Sequence, residues 1–432
     1  MVCSAVAGVS NALESLLDSA LRDEHIPVLE TIRTLHQPLL EGAGPAGVPA
    51  LDQGLDTLEK LARGVALTGE HTPRLHARVM AQGELISTRL GALILNDQGL
   101  KTAWQDAREL LCSQDEPGPS SPHHYLSATC GHEPSAPMIA RIEALDADVV
   151  LTQGFIARDS ADDTVLLGRG GSDTSAAYLA AHLQASRCEI WTDVPGMFTA
   201  NPRLLPSARM LRQLDYAEAQ EIASTGAKVL HPRCLLPVRA QGIPMHIRCT
   251  LQPDQEGTVI TARPASQGAT VKAISARSGI VLVSMETVGM WQQVGFLADA
   301  FSIFKSRGLS IDLVSTSETN VTVSLDPSAN VLSAEVLDGL ASDLSQLCQP
   351  QVIENCASVS LVGRGIRAIL HQLAPVLELF EEHRIHLVSQ AASDLNLTVV
   401  VDQSQEERLV RQLHGLLFKD GSSTALLGPS WE

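Results

Sequence analysis

Leu313-Val314-Ser315 recurs as Leu387-Val388-Ser389, 74 positions on, and the likeness extends on both sides of the triplet. "GFLADAFSIFKSRGLSIDLVSTSETNVTVSLD" and "GRGIRAILHQLAPVLELFEEHRIHLVSQAASDLNLTVVVD" both read as a helix, a strand carrying Leu-Val-Ser, a turn, and a strand of alternating Val and Leu. Each is preceded by a further strand, "GIVLVSM" and "CASVSLVG". The last third of the chain is therefore a duplicated strand–helix–strand–strand unit. Such units are small, and their open sheet edges invite side-by-side pairing.

The first 250 residues follow a different rule, helix-like and strand-like segments in alternation. "MVCSAVA" is a short apolar strand, and "SNALESLLDSALRDE" then spaces Leu13, Leu16, Leu17 and Ala20 as one helical face. "AGPAGVP" interrupts, and helices resume at "LDTLEKLARGVAL" and "RLHARVMAQGELISTRLGALIL". "DADVVLTQGFIA", "DDTVLLG" and "CEIWTD" are strands, and "DTSAAYLAAHLQA" is a helix with Ala176, Leu179, Ala180 and Leu183 on one side. This alternation predicts an α/β layer fold with a mostly parallel sheet. Pro, Gly, Ser and Gln cluster in "TARPASQGAT", residues 261–270, as in a linker between the two regions.

Composition narrows the function classes. A net charge of −18 and a pI near 5.2 argue against nucleic acid and anionic lipid as partners, and 3% aromatic residues leave little for base stacking. None of the eight cysteines forms a C-x-x-C pair, which predicts reduced, buried thiols. His123, His124, Cys130 and His132 lie close in sequence, but their segment reads as a loop and their spacing fits no zinc pattern, so no metal site is expected. With no basic-then-apolar leader and no apolar run near the roughly 20 residues of a membrane span, a cytoplasmic protein is expected.

"LGRGGSD", residues 167–173, joins the end of an apolar strand to a helix expected to begin at Ser172 or Asp173. Its glycines let backbone N–H groups approach an anion, and the helix N-terminus adds partial positive charge. Arg169 offers a two-pronged grip on a carboxylate or phosphate, and Asp173 either receives an ammonium group or caps the helix. A site of both signs suits an amino acid; the alternative is a tight turn before a capped helix. In "IWTDVPGMFTANPR", Asp193 either meets a ribose or metal or caps a turn, and Arg203 is a phosphate-contact candidate. In "GAKVLHP", Lys228 either aims its ammonium inward or lies at the surface. Glu84 follows Gly83 within a helical pattern, where glycine costs about 1 kcal/mol and so signals a close approach.

"LTQGFIA", "LLGRGGSDTSAAYLAAHLQAS", "CEIWTDVPGMFTANPR" and "GAKVLHPRCLLPVRAQGIP" together resemble the aspartokinases, in order and spacing, and "SAVAGVSNAL" adds to the likeness. The duplicated tail resembles the tandem ACT modules of lysine-sensitive members. The resemblance runs from about residue 2 to about residue 418. It implies the amino acid kinase fold over residues 1–262, ACT-like modules at 271–345 and 350–418, and a linker or tail at 419–432. It implies transfer of a phosphoryl group from ATP to L-aspartate, giving L-4-aspartyl phosphate, with Mg²⁺ carried by the nucleotide. Arg169 would hold the substrate α-carboxylate, Glu84 and Asp173 would face its ammonium, and Ser10 and Ser172 would add hydroxyls. Thr192, Asp193 and Val229 would line the nucleotide site, Phe198 would pack near the adenine, and Arg203 and Lys228 would contact the phosphates. Lysine would inhibit by binding "MWQQVGFLA" and "SIDLVSTSE", with Met290, Gly295, Leu297, Ser310, Asp312, Thr316, Ser317 and Glu318 forming the pocket. The same ACT surfaces would form a homodimer or higher oligomer, and dimer packing alone is the other reading of those residues.

Three departures qualify the implied site. The family's opening strand and Lys-Phe-Gly-Gly-Thr-Ser turn have no counterpart here, since the sequence starts with Met1-Val2-Cys3-Ser4 at what reads as the second strand. Either the start as given is incomplete, which is the expected reading, or the chain has an unpaired central strand and weaker charge stabilisation at the phosphates, and the alternative function is then an impaired, lysine-binding regulatory subunit. Phe198 stands where tyrosine is usual and Asn201 where aspartate is usual. "KDGSSTALLGPSWE" reads as a linker, and such chains also occur fused to other lysine-pathway enzymes.

Overall fold

The computed structural model describes residues 1–114, 122–226, 229–263, 270–286, 294–390, 392–418 and 427–431. It divides into two compact units, Met1–Ile190 with Leu230–His246, and Trp191–Val229 with Ile247–Glu432.

In the first unit the strand Val149–Gln153 lies between Val2–Cys3 and Thr102–Gln105, all parallel, with Val2 opposite Thr152 and Thr102 opposite Val149. Four helices, Val9–Ala20, Ile26–Ala43, Gly47–Thr68 and Pro73–Asp97, build one apolar core. The predicted face Leu13, Leu16, Leu17 and Ala20 is fully buried in it. The interruption at residues 44–46 is a short 3-10 turn, entered at Gly44 with φ 61°. Pro73 starts the last of these helices behind Thr72, whose hydroxyl accepts from the Leu75 N–H at 3.3 Å, a good start signal on both counts.

The stretch 146–157 reads as one strand in the sequence but breaks at Phe155, which has φ 68°. Beyond the break, Ile156–Arg158 pairs with Thr164–Leu166 as a hairpin. The helix predicted after the glycine-rich turn is Gly171–His182. Its Ala176, Leu179 and Ala180, with nearby Leu183, line a cavity of about 680 Å³ beside Val2 and Cys188. Among the described residues Val2–Cys3 pairs on one side only.

The second unit holds a six-stranded antiparallel sheet. Its order is Val314–Thr316, Asn320–Leu325, Thr270–Glu286, Gln349–Arg364, Asn396–Asp402, Ile385–Ser389. Each repeat supplies three strands, and the two long central strands run through both halves. Thr270 faces Arg364 at one end and Glu286 faces Gln349 at the other. Helices Phe296–Ser306 and Ala334–Leu344 cover one half through Val281, Val283 and Val323. Helix Glu406–Leu417 covers the other through Val359, Val399 and Val401. The tail that reads as a linker supplies a strand, Leu427–Ser430, which pairs with Arg209–Leu211. All eight cysteines are free.

Candidate active site

Gly170, with φ 66°, sits just before the first turn of Gly171–His182, and no side chain caps that helix. Each glycine of the turn is pressed against another segment, so that a Cβ would lie 2.8 Å from Ser127 Oγ at Gly168, 2.2 Å from His231 at Gly170 and 2.6 Å from Phe155 at Gly171. The three positions need glycine because the backbone approaches its neighbours too closely for a side chain. Arg169 projects from this turn, exposed, and makes no hydrogen bond or ion pair among the described residues. Ser172 packs against Gly154.

Asp173 lies in the first turn of the helix and does not cap it, which removes the structural alternative for this residue. Its carboxyl has no hydrogen-bond partner among the described residues, and burial pushes its pKa up to about 6. Glu84 behaves alike. It is 4% exposed and accepts the Ala5 N–H at 3.3 Å, and burial pushes its pKa to about 7. A buried carboxyl and a half-buried one, without a counter-charge among the described residues, are costly unless a cation completes them. The close approach signalled by Gly83 is an internal one: a Cβ there would meet Ala5 at 3.0 Å and Leu13 at 3.2 Å. The glycine thus lets this helix press against the Ala5 turn, whose N–H reaches Glu84. Ser10 is exposed in the first turn of Val9–Ala20, behind Gly8 at φ 85°.

The nucleotide candidates lie in the second unit. Thr192 Oγ1 donates to Asp193 Oδ1 at 3.1 Å, and Arg203 Nη2 donates to Asp193 Oδ2 at 2.9 Å. Both partners of this ion pair are about two-thirds exposed, so it holds Arg203 only weakly. Asn201 accepts the Arg203 N–H at 3.1 Å, which fixes the turn that carries the guanidinium. Phe198 is buried in the core with Leu205 and Met210, its ring 5.7 Å from that of Trp431 in a T-shaped contact. Val229 is half-buried in a turn, and Lys228 lies outside the described residues.

Of the lysine candidates, Gly295 precedes helix Phe296–Ser306 with φ 97°, and Leu297 is exposed on that helix. The Ser310 N–H donates to Asn330 at 2.6 Å. Thr316 ends an edge strand, Ser317 Oγ accepts from the Asn320 N–H at 3.1 Å, and Glu318 is exposed. Asp312 is held by Arg277 at 3.0 Å, and Arg277 also grips Asp326. Burial raises the Asp312 pKa against the opposing pull of Arg277. Met290 lies outside the described residues.

Sequence reasoning missed two residues at the glycine-rich turn. Arg233 Nη1 donates to Ser127 Oγ at 3.0 Å and to Leu167 O at 3.2 Å, tying down the end of the strand before Gly168. His231 lies against Gly170, and burial, then Arg233 and Arg169, lower its pKa. The available signal was their place in "GAKVLHPR", directly after Lys228. His124, weighed as a metal ligand, instead meets Asp159 at 3.1 Å within or beside a short helix, Pro122–Leu126. Burial pushes the Cys130 thiol up to about 12.

The amino acid kinase family profile matches residues 2–249. The chain is 32% identical over 423 residues to lysine-sensitive aspartokinase 3 of Escherichia coli (strain K12), covering 97% of this chain and 92% of that one. Its structure matches E. coli aspartokinase III in complex with aspartate and ADP (R-state) with a TM-score of 0.83 at 31% identity, covering 97% of this chain and 92% of that one. It matches the same enzyme in complex with lysine and aspartate (T-state) with a TM-score of 0.77 at 32% identity and the same coverage. An exposed guanidinium on a glycine-built turn, the desolvated carboxyls of Glu84 and Asp173, and likeness along nearly the whole length agree: the chain belongs to the amino acid kinase family and, within it, to the aspartokinases.

Proposed function

We infer that the chain is an aspartate kinase that moves the γ-phosphoryl group of ATP to the side-chain carboxylate of L-aspartate. The observation that carries this is the pair Glu84, buried, and Asp173, half-buried, carboxyls with raised pKa and no cation among the described residues, in the same unit as the exposed Arg169. An α-amino acid supplies what each lacks, an ammonium for the carboxyls and a carboxylate for a two-pronged guanidinium contact. Ser10 and Ser172 would add hydroxyls to the same substrate.

The acceptor carboxylate is already ionised near neutral pH and needs no general base. It needs alignment with the γ-phosphorus and positive charge around the transferring group. Arg203 supplies such charge once it exchanges Asp193 for phosphate, an inexpensive exchange for so exposed a pair. Lys228, by resemblance, supplies more. The exposed, adjacent oxygens of Thr192 and Asp193 suit a nucleotide-borne Mg²⁺, which would neutralise charge at the phosphates. Val229 would flank the nucleotide. Phe198 would back the base from within the core rather than as an open stacking surface.

Residues 1–262 are assigned to catalysis, and 271–345 and 350–418 to regulation by lysine. The free N–H groups at Gly295 suit the inhibitor's carboxylate, and Asp312 suits an ammonium that competes with Arg277. Ser310, Thr316, Ser317 and Glu318 border the same strand, and Leu297 and Met290 would meet the aliphatic stem. Among the described residues the edge strands Val314–Thr316 and Ile385–Ser389 present one unpaired side each, which suits assembly with a second copy. Among the described residues no helix is long and apolar enough to cross a membrane, and the cytoplasm is the proposed location.

The test is ATP-dependent formation of aspartyl hydroxamate from L-aspartate, Mg²⁺ and hydroxylamine, with and without lysine. Turnover that lysine suppresses is the expected result. Lysine binding without turnover would replace this reading with that of a regulatory subunit.

A further inference from the structure

Lys272 is 5% exposed, an unusual burial for a lysine, and its Nζ donates to Glu218 Oε2 at 2.6 Å. Glu218 is 1% exposed and its second oxygen, Oε1, has no partner. Lys272 lies on the long strand Thr270–Glu286 of the regulatory sheet, and Glu218 on the helix Tyr216–Ser224. The pair belongs to a row. Asp215 caps that helix and receives Arg364, Glu221 receives Asn396, and Thr225 Oγ1 donates to Ser275 Oγ at 2.9 Å. At about 100° per residue, positions 215, 218, 221 and 225 fall within an arc of about 120° on the helix surface. Their partners come from three adjacent strands of the sheet, Thr270–Glu286, Gln349–Arg364 and Asn396–Asp402.

Stability does not require this arrangement. Apolar side chains of similar volume in place of a buried ion pair usually hold a fold as well or better. Polar pairs fix one register instead, because a shift along the seam leaves several buried charges unpaired at once. The helix also leads directly to Gly226, with φ 129°, where a Cβ would lie 2.5 Å from Ala276 O of the same sheet. "GAKVLHP" begins at that glycine.

We propose that Lys272 is a positioning residue: through Glu218 it sets the register of Tyr216–Ser224 against the regulatory sheet, and so couples the sheet's state to the nucleotide-contact segment that follows Gly226. This rests on the reading of the sheet as the lysine-responsive part and of Val229 and Lys228 as nucleotide contacts. Glu218 and Lys272 themselves touch neither substrate.

The experiment compares Lys272→Met with the double variant Lys272→Met/Glu218→Gln in the full chain. The single variant leaves the buried Glu218 carboxyl without a counter-charge, held only by the Asp215 N–H at 3.0 Å among the described residues, and should melt lower. The double variant removes both charges and should melt within a few degrees of wild type. The expected result in the folded double variant is a lysine concentration for half-inhibition raised about tenfold or more. KM for ATP should rise several-fold, with KM for aspartate unchanged. A double variant whose lysine inhibition curve and KM for ATP both superpose on those of wild type would overturn the proposal and leave the seam purely structural. An active wild-type chain that lysine does not inhibit would instead remove the regulatory reading on which the coupling stands, a failure seen before any variant is made.

Discussion

Leu313 packs against the small apolar cluster that buries Leu387, so the equivalent leucines of the two repeats share one cluster. Ile280, Leu282, Cys356 and Val400 complete the cluster. These positions alternate with Val281, Val283, Ala357, Val359, Val399 and Val401, which face the helices, so the cluster lies on the opposite side of the sheet. Leu387→Ala should therefore destabilise the protein by about 2–4 kcal/mol, as for a buried leucine in any core. Denaturant melts with tryptophan fluorescence would show it, and a loss below about 1 kcal/mol would mean that the cluster is not closed in solution.

Aspartate binding should weaken in mild acid. Burial raises the carboxyls of Glu84 to about 7 and of Asp173 to about 6, and both must be ionised to meet an ammonium. KM for aspartate should rise below about pH 7, by up to about tenfold per pH unit for each group protonated. A flat profile of KM between pH 6 and 8 would remove these two residues from the substrate site.

The same shifts set the sign of a stability effect. A carboxyl whose pKa is higher in the folded chain holds its proton longer there than in the unfolded chain. Its contribution to stability is therefore present at low pH and lost as pH rises from the ordinary carboxyl range through the raised values. Glu84→Gln should flatten that loss and raise the melting temperature at pH 8 while weakening aspartate binding by about 10- to 100-fold. Saturating aspartate should raise the melting temperature of the wild type more at pH 8 than at pH 6.

Arg203→Ala should raise KM for ATP about tenfold or more and leave thermal stability within about 1 kcal/mol, since its one ion pair among the described residues is an exposed one. Initial-rate kinetics and a thermal melt on the same preparation decide it. A large fall in stability with unchanged KM for ATP would make Arg203 a structural anchor of its turn.

The readable parts of the sequence were those where one local rule acts. Helical spacing placed Leu13, Leu16 and Leu17 in the core, and repetition placed the Leu-Val-Ser strands at equivalent positions on the sheet edges. Glycine density announced the turn around Arg169, because close backbone approach leaves glycine as the tolerated residue. Gly83 announced a close approach too, but nothing local says that the visitor is Ala5 rather than a ligand. Long-range partners left no mark. Lys272 sits in "TVKAISARSG" like any exposed strand lysine, and its burial depends on Glu218, 54 residues away. Arg277 claims Asp312 across 35 residues, and the strand Leu427–Ser430 finds Arg209–Leu211 from within a stretch rich in Gly and Ser. Such pairings are set by the finished sheet, not by local pattern.

The two long strands of the regulatory sheet come one from each repeat, yet Thr270–Glu286 and Gln349–Arg364 pair from end to end and so run through both halves. A duplication usually leaves two copies free to act separately. Here the copies are joined along a common spine, so that an inhibitor acting beside Asp312 would act on a sheet that also carries Lys272 and Ser275. The pair should respond to lysine as one mechanical element, with half of the sheet receiving the signal and the other half delivering it.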